Sequence, residues 1–407
     1  MSTRLCFGAL PTCLMLVLGL CFTVSLPAED KAAAAETEAT ADVAAEDDRP
    51  VKEQWAELFA QRVELIAKLT ALQEEFPEAE DDRKEEIKEE FLKSRQELFV
   101  VLPKLGQIAE KVFAEDPENL DAGEAAVQNA YENNQYELAE KLATQFLKAA
   151  DEERDTMIVA NIQGIAKFAQ HDFVGAHEVF SKLEENGKLH PQLGGRYLEA
   201  SDEYGEYWEK EAAIRKKEAA AKGDAQLPRV VFKTNRGDIE LELFENEAPN
   251  TVANFISLIE AKKYDGIKFH RVIPNFMAQG GDPNTLNDDP SDDGQGGPGY
   301  TIACECYEKN ARKHFRGSIS MAHAGKDSGG SQFFLTHLPA PHLNVNMEQK
   351  SGHTVFGRVV KGQDIVDSLT IGDEIESAAV ERKRDHEYTP ETQKEEPAEK
   401  AEKEKEN

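Results

Sequence analysis

The spacing of apolar residues changes near residue 222, and this change limits the fold more than any other feature of the chain. Between Val51 and Lys222 apolar side chains recur every three or four residues, the period of amphipathic helices. From Arg229 onward two short apolar runs flank the turn Asn235–Asp238, and the second alternates strictly (IELELF), as in a β-hairpin. The sequence therefore predicts a multidomain chain. An all-α helical-hairpin domain at residues 51–222 is followed by a polar hinge at 223–228 and a mainly β domain at 229–384.

Helix-breaking residues divide the helical region into six or seven helices. The breaks lie at Pro77, Asp116–Pro117, Asn133–Asn134 and Gly187–Gly195. Two segments also align at an offset of 37 residues, so that Tyr136, Ala139 and Leu142 fall on Phe173, Ala176 and Val179. This pattern, with Gly164 and Phe180 as further small and aromatic positions, resembles a degenerate tetratricopeptide-type repeat. A plain helical scaffold would show similar spacings, and both interpretations stay open.

The start of the chain has the pattern of an export signal. Arg4 precedes the apolar run Cys13–Val24, and small residues follow up to Ala28. We predict a signal peptide at residues 1–28 and an exported protein, periplasmic or secreted. An uncleaved segment would be the only membrane contact, as an anchor. Residues 29–50 and 385–407 are charged and poor in large apolar residues, and we predict a disordered acidic linker and a disordered charged tail.

Charge and composition exclude several classes of function. The net charge is −31, of which residues 29–228 carry −23 and residues 229–384 only −4. Such a chain would be repelled by phosphates, so we expect no nucleic acid partner. A charged content of 31% and a mean hydropathy of −0.58 exclude a polytopic membrane protein. Only Cys304 and Cys306 remain after residue 28, too few for a scaffold built on disulfides.

Four segments of the β domain carry recognisable motifs. They read ELELFENEAPNTVANF (240–255), FHRVIPNFMAQGGDP (269–283), GSISMAHAGKDSGGSQFFLT (317–336) and HTVFGRV (353–359). Their order and spacing resemble those of cyclophilins over residues 229–384. The resemblance implies an eight-stranded antiparallel barrel with two capping helices. It also implies peptidyl-prolyl cis-trans isomerase activity on proline-containing polypeptides, with no cofactor and no covalent intermediate.

The chemistry of the reaction favours an arginine. Rotation about an X-Pro bond faces a barrier of roughly 20 kcal/mol because the nitrogen lone pair is delocalised into the carbonyl group. A guanidinium is always charged and can donate to the nitrogen only as the amide leaves planarity, which stabilises the transition state selectively. Arg271 matches the catalytic arginine of the family.

The resemblance also assigns the substrate groove. Four apolar residues match the proline pocket of the family: Phe276, Met277, Phe334 and Leu343. Four more match the groove that holds the substrate backbone: Gln279, Ala322, His323 and Gln332. His353 matches a histidine at the rim of the pocket. His323 stands where many members have asparagine, and His342 stands where drug-sensitive eukaryotic members have tryptophan. The absence of that indole argues against tight cyclosporin binding.

The sequence leaves two alternative functions open and contains two candidate metal sites. The β domain could hold proline-containing segments as a chaperone with little catalysis, or the helical domain could be a scaffold that binds a protein partner. The loop 284–299 contains four aspartates without the ligand order of a calcium loop, and we interpret it as a solvated loop. Cys304 and Cys306 with His314 fall short of a structural zinc site. We therefore predict no metal.

Overall fold

The computed structural model describes residues 48–394. The predicted signal peptide, most of the predicted linker 29–50 and the end of the predicted tail lie outside this range. Among residues 48–394 the structure contains no helix long and apolar enough to cross a membrane.

The helical region predicted from the apolar spacing is present. The described chain forms seven α-helices before residue 221: α1 (Val51–Glu75), α2 (Asp81–Glu115), α3 (Leu120–Glu132), α4 (Tyr136–Ala149), α5 (Met157–Ala169), α6 (Phe173–Glu185) and α7 (Leu198–Ala220). The predicted breaks coincide with ends of these helices, since proline lacks a backbone donor and Asn134 adopts the left-handed φ of +57°.

The described helices do not form one separate domain. One compact unit contains the described residues up to Asn129 together with Leu142–Thr156, and the other contains Ala130–Lys141 and the described residues from Met157 onward. In the first unit α1 packs against α2 around Leu69, Ile87 and Phe91. The predicted division at residues 223–228 differs from this arrangement, because α5, α6 and α7 share the second unit with the β domain.

The two aligned segments begin corresponding helices. Tyr136 opens α4 and Phe173 opens α6, and Ala139 and Ala176 one turn later are fully buried. Gly164 of α5 faces Phe180 so closely that a Cβ atom would lie 2.3 Å from the ring. A small residue at this position therefore lets α5 and α6 approach.

The β domain is a curled antiparallel sheet, as the resemblance implies. Its strands are β1 (Arg229–Thr234), β2 (Gly237–Leu243), β3 (Ile267–Lys268), β4 (Arg271–Ile273), β5 (Met277–Gly280), β7 (Ser318–Met321), β8 (Phe333–Thr336), β9 (Val355–Lys361) and β10 (Glu374–Arg382). They are hydrogen-bonded in the order β3-β10-β1-β2-β9-β7-β8-β5-β4.

This sheet has nine strands where eight were predicted. The two end strands are separated along the chain only by Phe269 and His270, and β3 pairs with β10 while β4 pairs with β5. The extra strand therefore arises because one bent segment is divided into two strands. Its first half, β3, forms one edge of the sheet and its second half, β4, forms the other edge.

Aromatic side chains fill the core of the sheet. Phe232, Phe255, Tyr264, Phe333 and Phe356 are fully or almost fully buried and meet mostly edge to face. Phe255 comes from α8 (Pro249–Glu260), and a short helix α9 (Gln363–Asp367) follows β9. These are the two helices that the resemblance implies.

Two segments predicted to be polar and loose are packed against the sheet. In the predicted hinge, Leu227 is buried with Phe244 and Val355. In the predicted disordered tail, β11 (Gln393–Lys394) pairs with β6 (Tyr300–Thr301), and Tyr388 is buried. The prediction for residues 385–394 was wrong, because single apolar and polar anchors offset the ordering entropy of an otherwise charged segment.

Candidate active site

One groove of about 870 Å³ collects every site residue predicted from the sequence. Its lining includes the ten residues Arg271, Phe276, Met277, Gln279, Ala322, His323, Gln332, Phe334, Leu343 and His353. They come from β4, β5, β8 and the connections around these strands. The curled sheet thus brings together residues that lie up to 82 positions apart in the sequence.

The hairpin formed by β4 and β5 carries the arginine. Arg271 is exposed and stands opposite Gln279 in the strand register. Its Nη1 atom lies 3.5 Å from Oε1 of Gln279. The guanidinium therefore keeps most of its donors free of the neighbouring amide, and its planar shape presents them to the groove.

A chain of side-chain amides supports the arginine. Gln279 donates from Nε2 to Oε1 of Gln332 at 3.0 Å, and Gln332 donates from Nε2 to the carbonyl groups of Gly294 and Gly296 at 3.0 and 2.9 Å. Each glutamine accepts with its oxygen and donates with its nitrogen, so the network fixes both amide orientations.

The apolar part of the groove is formed by rings and aliphatic side chains. Met277 and Phe334 are buried, whereas Phe276 and Leu343 are half-buried. The ring of Phe276 lies 5.2 Å from that of His342. An apolar floor with an open rim suits a pyrrolidine ring that enters from solvent.

Two stacked histidines form the opposite wall. The rings of His323 and His353 lie 4.2 Å apart, and His353 also meets Phe334 edge to face at 5.6 Å. His353 donates from Nδ1 to the carbonyl of Met321 at 2.9 Å, and His323 donates from Nε2 to the carbonyl of Gly352 at 3.0 Å. These bonds fix which nitrogen of each ring carries a proton.

The environments of the two histidines shift their pKa values in opposite directions. Burial lowers the pKa of His353, and the neighbouring His323 lowers it further. Burial also lowers the pKa of His323, but the hydrogen bond and charge of Cys304 outweigh burial and raise this pKa above its usual value. A positive charge in this wall therefore resides on His323 rather than His353.

The structure adds groove residues that the motifs did not indicate. The loop 284–299, interpreted from the sequence as solvated, contributes Gly294, Gln295, Gly296 and Gly297 to the lining. Its backbone is held by the buried carboxylate of Asp282, which accepts from Gly294 and, at 3.2 Å, from Gly296. Tyr300, Thr301, Gln393 and Lys394 of the β6–β11 pair also line the groove. The glycines of the loop and Asp282 could have indicated from the sequence that this loop lines the groove. No feature of the tail indicated that β11 would do so.

No group of three or more His, Cys, Asp or Glu side chains between residues 48 and 394 is placed to hold an ion. His314 instead stacks on Phe334 and binds Asn344 and Ser320 through its two ring nitrogens.

A curled antiparallel sheet with an arginine beside an apolar pocket has the architecture of a cyclophilin domain. A family model described as cyclophilin type peptidyl-prolyl cis-trans isomerase/CLD matches residues 229–388. Peptidyl-prolyl cis-trans isomerase B of Bacillus subtilis (strain 168) is 50% identical over 143 residues, which cover 35% of this chain and 90% of that protein. The chain belongs to the cyclophilin-type peptidyl-prolyl cis-trans isomerase family.

Other relatives match a similar share of the chain. A peptidyl-prolyl cis-trans isomerase of Synechococcus elongatus is 45% identical over 156 residues, covering 38% of this chain and 97% of that protein. The crystal structure of a cyclophilin-type isomerase of Cryptosporidium parvum is 27% identical, with a TM-score of 0.33, and the match covers 38% of this chain and 98% of that one.

Proposed function

We propose that the groove accelerates rotation about X-Pro peptide bonds in polypeptides outside the cytosol, with Arg271 as the catalytic residue. The proline ring occupies the pocket of Phe276, Met277, Phe334 and Leu343. The flanking peptide lies along Gln279, Ala322, His323, Gln332 and His353. No covalent bond forms and no cofactor takes part.

Arg271 acts by electrostatic stabilisation of the twisted amide. As the C–N bond rotates, the lone pair returns to the nitrogen, which becomes an acceptor for a guanidinium N–H. A planar amide offers no such acceptor, so the interaction belongs to the transition state. Lowering a time of tens of seconds to milliseconds requires about 6 kcal/mol, which a charged donor and a desolvated pocket can supply together.

The placement of Arg271 is the observation that carries this proposal. The guanidinium is exposed, is contacted by Gln279 on one side, and lines the same groove as the apolar side chains of Met277 and Phe334. An arginine that served only as an ion-pair partner would face a carboxylate. Among the described residues Arg271 has no ion pair within 4.0 Å, in contrast to Arg312, Arg316 and Arg358.

The test is the cis/trans exchange rate of a short peptide containing Ala-Pro-Phe, measured by exchange NMR with the purified full chain. We expect Arg271→Ala to lower kcat/KM by roughly 100- to 1000-fold, the effect of removing one transition-state donor. Arg229→Ala is the matched control, because Arg229 lies outside the groove and its partner Glu242 keeps Arg358. A folded wild-type chain without activity would favour the proline-binding chaperone instead.

We also propose that the chain is exported, by cleavage of a signal peptide near Ala28. The support is the sequence pattern of Arg4, the apolar run Cys13–Val24 and the small residues that follow. Expression in a bacterium with an outer membrane, followed by N-terminal mass analysis, tests this. A chain that stays in the cytosol with an intact N-terminus would contradict export, and an exported uncleaved chain would indicate an anchor.

The helical region adds a protein-binding surface in our proposal. Leu92, Phe99 and Val100 of α2 are each about half exposed within about two turns of the helix, and such an apolar patch favours an unfolded client chain. Val100→Glu should weaken binding of an unfolded proline-containing protein, as measured by fluorescence anisotropy. Val174→Glu, at an exposed valine of α6, should not. Equal binding by both variants would contradict this surface. We also propose that the helices of this region are degenerate tetratricopeptide-type repeats, on the basis of the sequence pattern described above.

A further inference from the structure

The turn between α3 and α4 reaches the catalytic hairpin. Asn134 lies two residues beyond the end of α3 in the left-handed conformation, and the next amide, Gln135, donates to the carbonyl of Ala130 at 2.8 Å, which closes the helix end. This geometry directs two polar side chains inward: Asn134 is 4% exposed and Tyr136 is fully buried. Buried polar groups require partners, and both find theirs in the β domain.

Both side chains bind Asn275, the residue at the tip of the β4–β5 hairpin. Oδ1 of Asn134 accepts from the backbone N–H of Asn275 at 2.6 Å. The hydroxyl of Tyr136 donates to Oδ1 of Asn275 at 3.1 Å, and Oδ1 of Asn134 lies 3.2 Å from the same hydroxyl. The helical turn thus contacts Asn275 through its backbone and its side chain.

The turn is itself anchored to the β domain at a second point. Asn134 donates from Nδ2 to the carbonyl of Asp367 at 2.9 Å. Arg316 places its guanidinium 5.0 Å from the centre of the Tyr136 ring and pairs with Glu137 and Asp367 at 2.8 and 2.7 Å. Asn134 and Tyr136 therefore have fixed positions from which to restrain Asn275.

Asn275 needs such a restraint. Its φ of +58° is a left-handed conformation that non-glycine residues other than Asn and Asp rarely adopt, and surrounding contacts select it here. The hairpin is short, with three residues in β4 and four in β5. Phe276 follows Asn275 directly, and Arg271 lies four residues before it. A change at the tip therefore reaches both the proline pocket and the guanidinium.

We propose that Asn134 and Tyr136 are positioning residues of the isomerase, which hold the Asn275 tip so that Phe276 and Arg271 meet the twisted peptide in register. They touch no substrate and act through Asn275. The inference rests on the proposed function of the groove. It gives the helical part of the chain a direct role in the reaction.

The test uses the full chain and the exchange assay, with kcat and KM measured separately. Tyr136→Phe removes only the hydroxyl and should lower kcat/KM by roughly five-fold, the effect of one lost hydrogen bond. Asn134→Gly removes the amide without strain at positive φ and should lower kcat/KM further. Asn134→Asp retains the oxygen that accepts from Asn275 but loses the donor to the carbonyl of Asp367, so it should recover only part of the loss seen in Asn134→Gly.

Coupling to Asn275 separates positioning from simple stabilisation. Asn275→Gly removes the acceptor of the Tyr136 hydroxyl and relieves the backbone, so this variant should fold. In its background, Tyr136→Phe should change kcat/KM less than two-fold, although it still lowers the unfolding midpoint. Tyr131→Phe is the control, since Tyr131 is also buried in α3 and no hydrogen bond joins its hydroxyl to the hairpin among residues 48–394.

The outcomes differ clearly. Folded Tyr136→Phe and Asn134→Gly chains with wild-type kcat/KM would overturn the inference and leave the proposed function intact. The inference would also be overturned if Tyr136→Phe lowered kcat/KM by no more than Tyr131→Phe does. The same holds if the loss of kcat/KM in Tyr136→Phe persisted in the Asn275→Gly background. An inactive wild-type chain would remove the proposed function and this inference with it.

Discussion

At the scale of single residues, Cys304 stands out because its thiol receives hydrogen bonds behind the histidine wall of the groove. The backbone N–H of Asp327 donates to Sγ of Cys304 at 3.1 Å, and Cys304 is half-buried. A hydrogen bond with the thiol of Cys306 lowers the pKa of Cys304, and His323 and the Asp327 N–H lower it further. The thiolate is therefore present at a lower pH than for an ordinary cysteine.

This pKa predicts the pH profile of alkylation. The thiolate is the reacting species, so a lowered pKa moves the rise in rate toward acid. We expect the rate of Cys304 with iodoacetamide to reach half its maximum well below the ordinary value of about 8.5. Peptide mapping by mass spectrometry at a series of pH values measures this rate for Cys304 alone.

Two variants test the cause of the shift. His323→Asn and Cys306→Ala should each move the midpoint toward higher pH, since each removes a partner of the thiolate. Ser328→Ala, at an exposed serine of the neighbouring loop, serves as the control. A wild-type midpoint at or above the ordinary value would show that the thiol is not activated.

Individual site residues differ in how far the sequence could indicate them. Arg271, Phe276 and Gln279 lie in one contiguous motif, so their common location follows from a short hairpin. The contact between Asn134 and Asn275 joins residues 141 positions apart, and no local pattern encodes it. His323 was indicated as a groove residue, but its raised pKa depends on Cys304, which only the fold places beside it.

At the scale of elements, α7 is joined to the sheet by a buried network of charges. Arg312 donates to both carboxylate oxygens of Glu211 at 2.8 Å and to Glu218 at 2.8 Å. Arg358 bridges Glu218 and Glu242 at 2.8 and 2.5 Å. Burial raises the pKa of Glu211, but Arg312 outweighs burial and holds this pKa below its usual value. The carboxylate is thus ionised when it meets the guanidinium.

Removal of one charge from this network should be costly. Glu211→Gln would leave the guanidinium of Arg312, whose side chain is 3% exposed, without its bidentate partner. We expect a loss of about 1.5–3 kcal/mol in the free energy of unfolding, the usual cost of losing hydrogen bonds to a charged group, because Glu218 still compensates part of the Arg312 charge. Urea unfolding followed by the fluorescence of Trp208 in α7 measures this, in a Trp55→Phe background that leaves one tryptophan.

The same helix supplies the control. Glu206 and Lys210 form an exposed pair at 4.0 Å, with side chains 79% and 70% exposed. Glu206→Gln should change the free energy of unfolding by less than about 0.5 kcal/mol, because solvent screens the pair. Equal effects of the two substitutions would mean that the buried network does not hold α7 to the sheet.

The elements themselves were more predictable than their association. Pro77 and Asp116–Pro117 end helices through their own backbone chemistry, so the sequence indicates these boundaries directly. The alternation in β2 likewise indicates a strand with one buried face. The placement of α7 beside the sheet depends on Glu211 and Arg312, which lie 101 positions apart, and the sequence shows them only as two charges.

At the scale of the whole molecule, the segment after β10 completes the β domain. Tyr388 donates to Oε2 of Glu245 at 2.7 Å, and His386 contacts Oε1 of the same carboxylate at 2.7 Å. Asn250 and Glu391 exchange two hydrogen bonds at 3.0 and 2.7 Å. These contacts hold the segment so that β11 pairs with β6, where Gln393 and Lys394 line the groove.

Truncation should therefore affect both stability and substrate binding. We compare a chain that ends at Arg384 with one that ends at Lys394. The shorter chain exposes the surface that Tyr388 covers and leaves Glu245 with Arg384 alone, at 3.3 Å. We expect a loss of about 2–4 kcal/mol in the free energy of unfolding, from one buried aromatic ring and its hydrogen bonds.

The effect on the reaction should fall on KM rather than kcat, because β11 borders the groove but Arg271 and its amide network lie on other strands. The exchange assay at several peptide concentrations separates the two constants. Tyr388→Phe in the longer chain removes the hydrogen bond to Glu245 but keeps the ring and β11, so it should lower stability by about 1 kcal/mol and leave KM unchanged. A shorter chain with the stability and KM of the longer one would show that the segment is dispensable to the domain. A fall in kcat alone would mean that the segment acts through the catalytic hairpin and not through the rim of the groove.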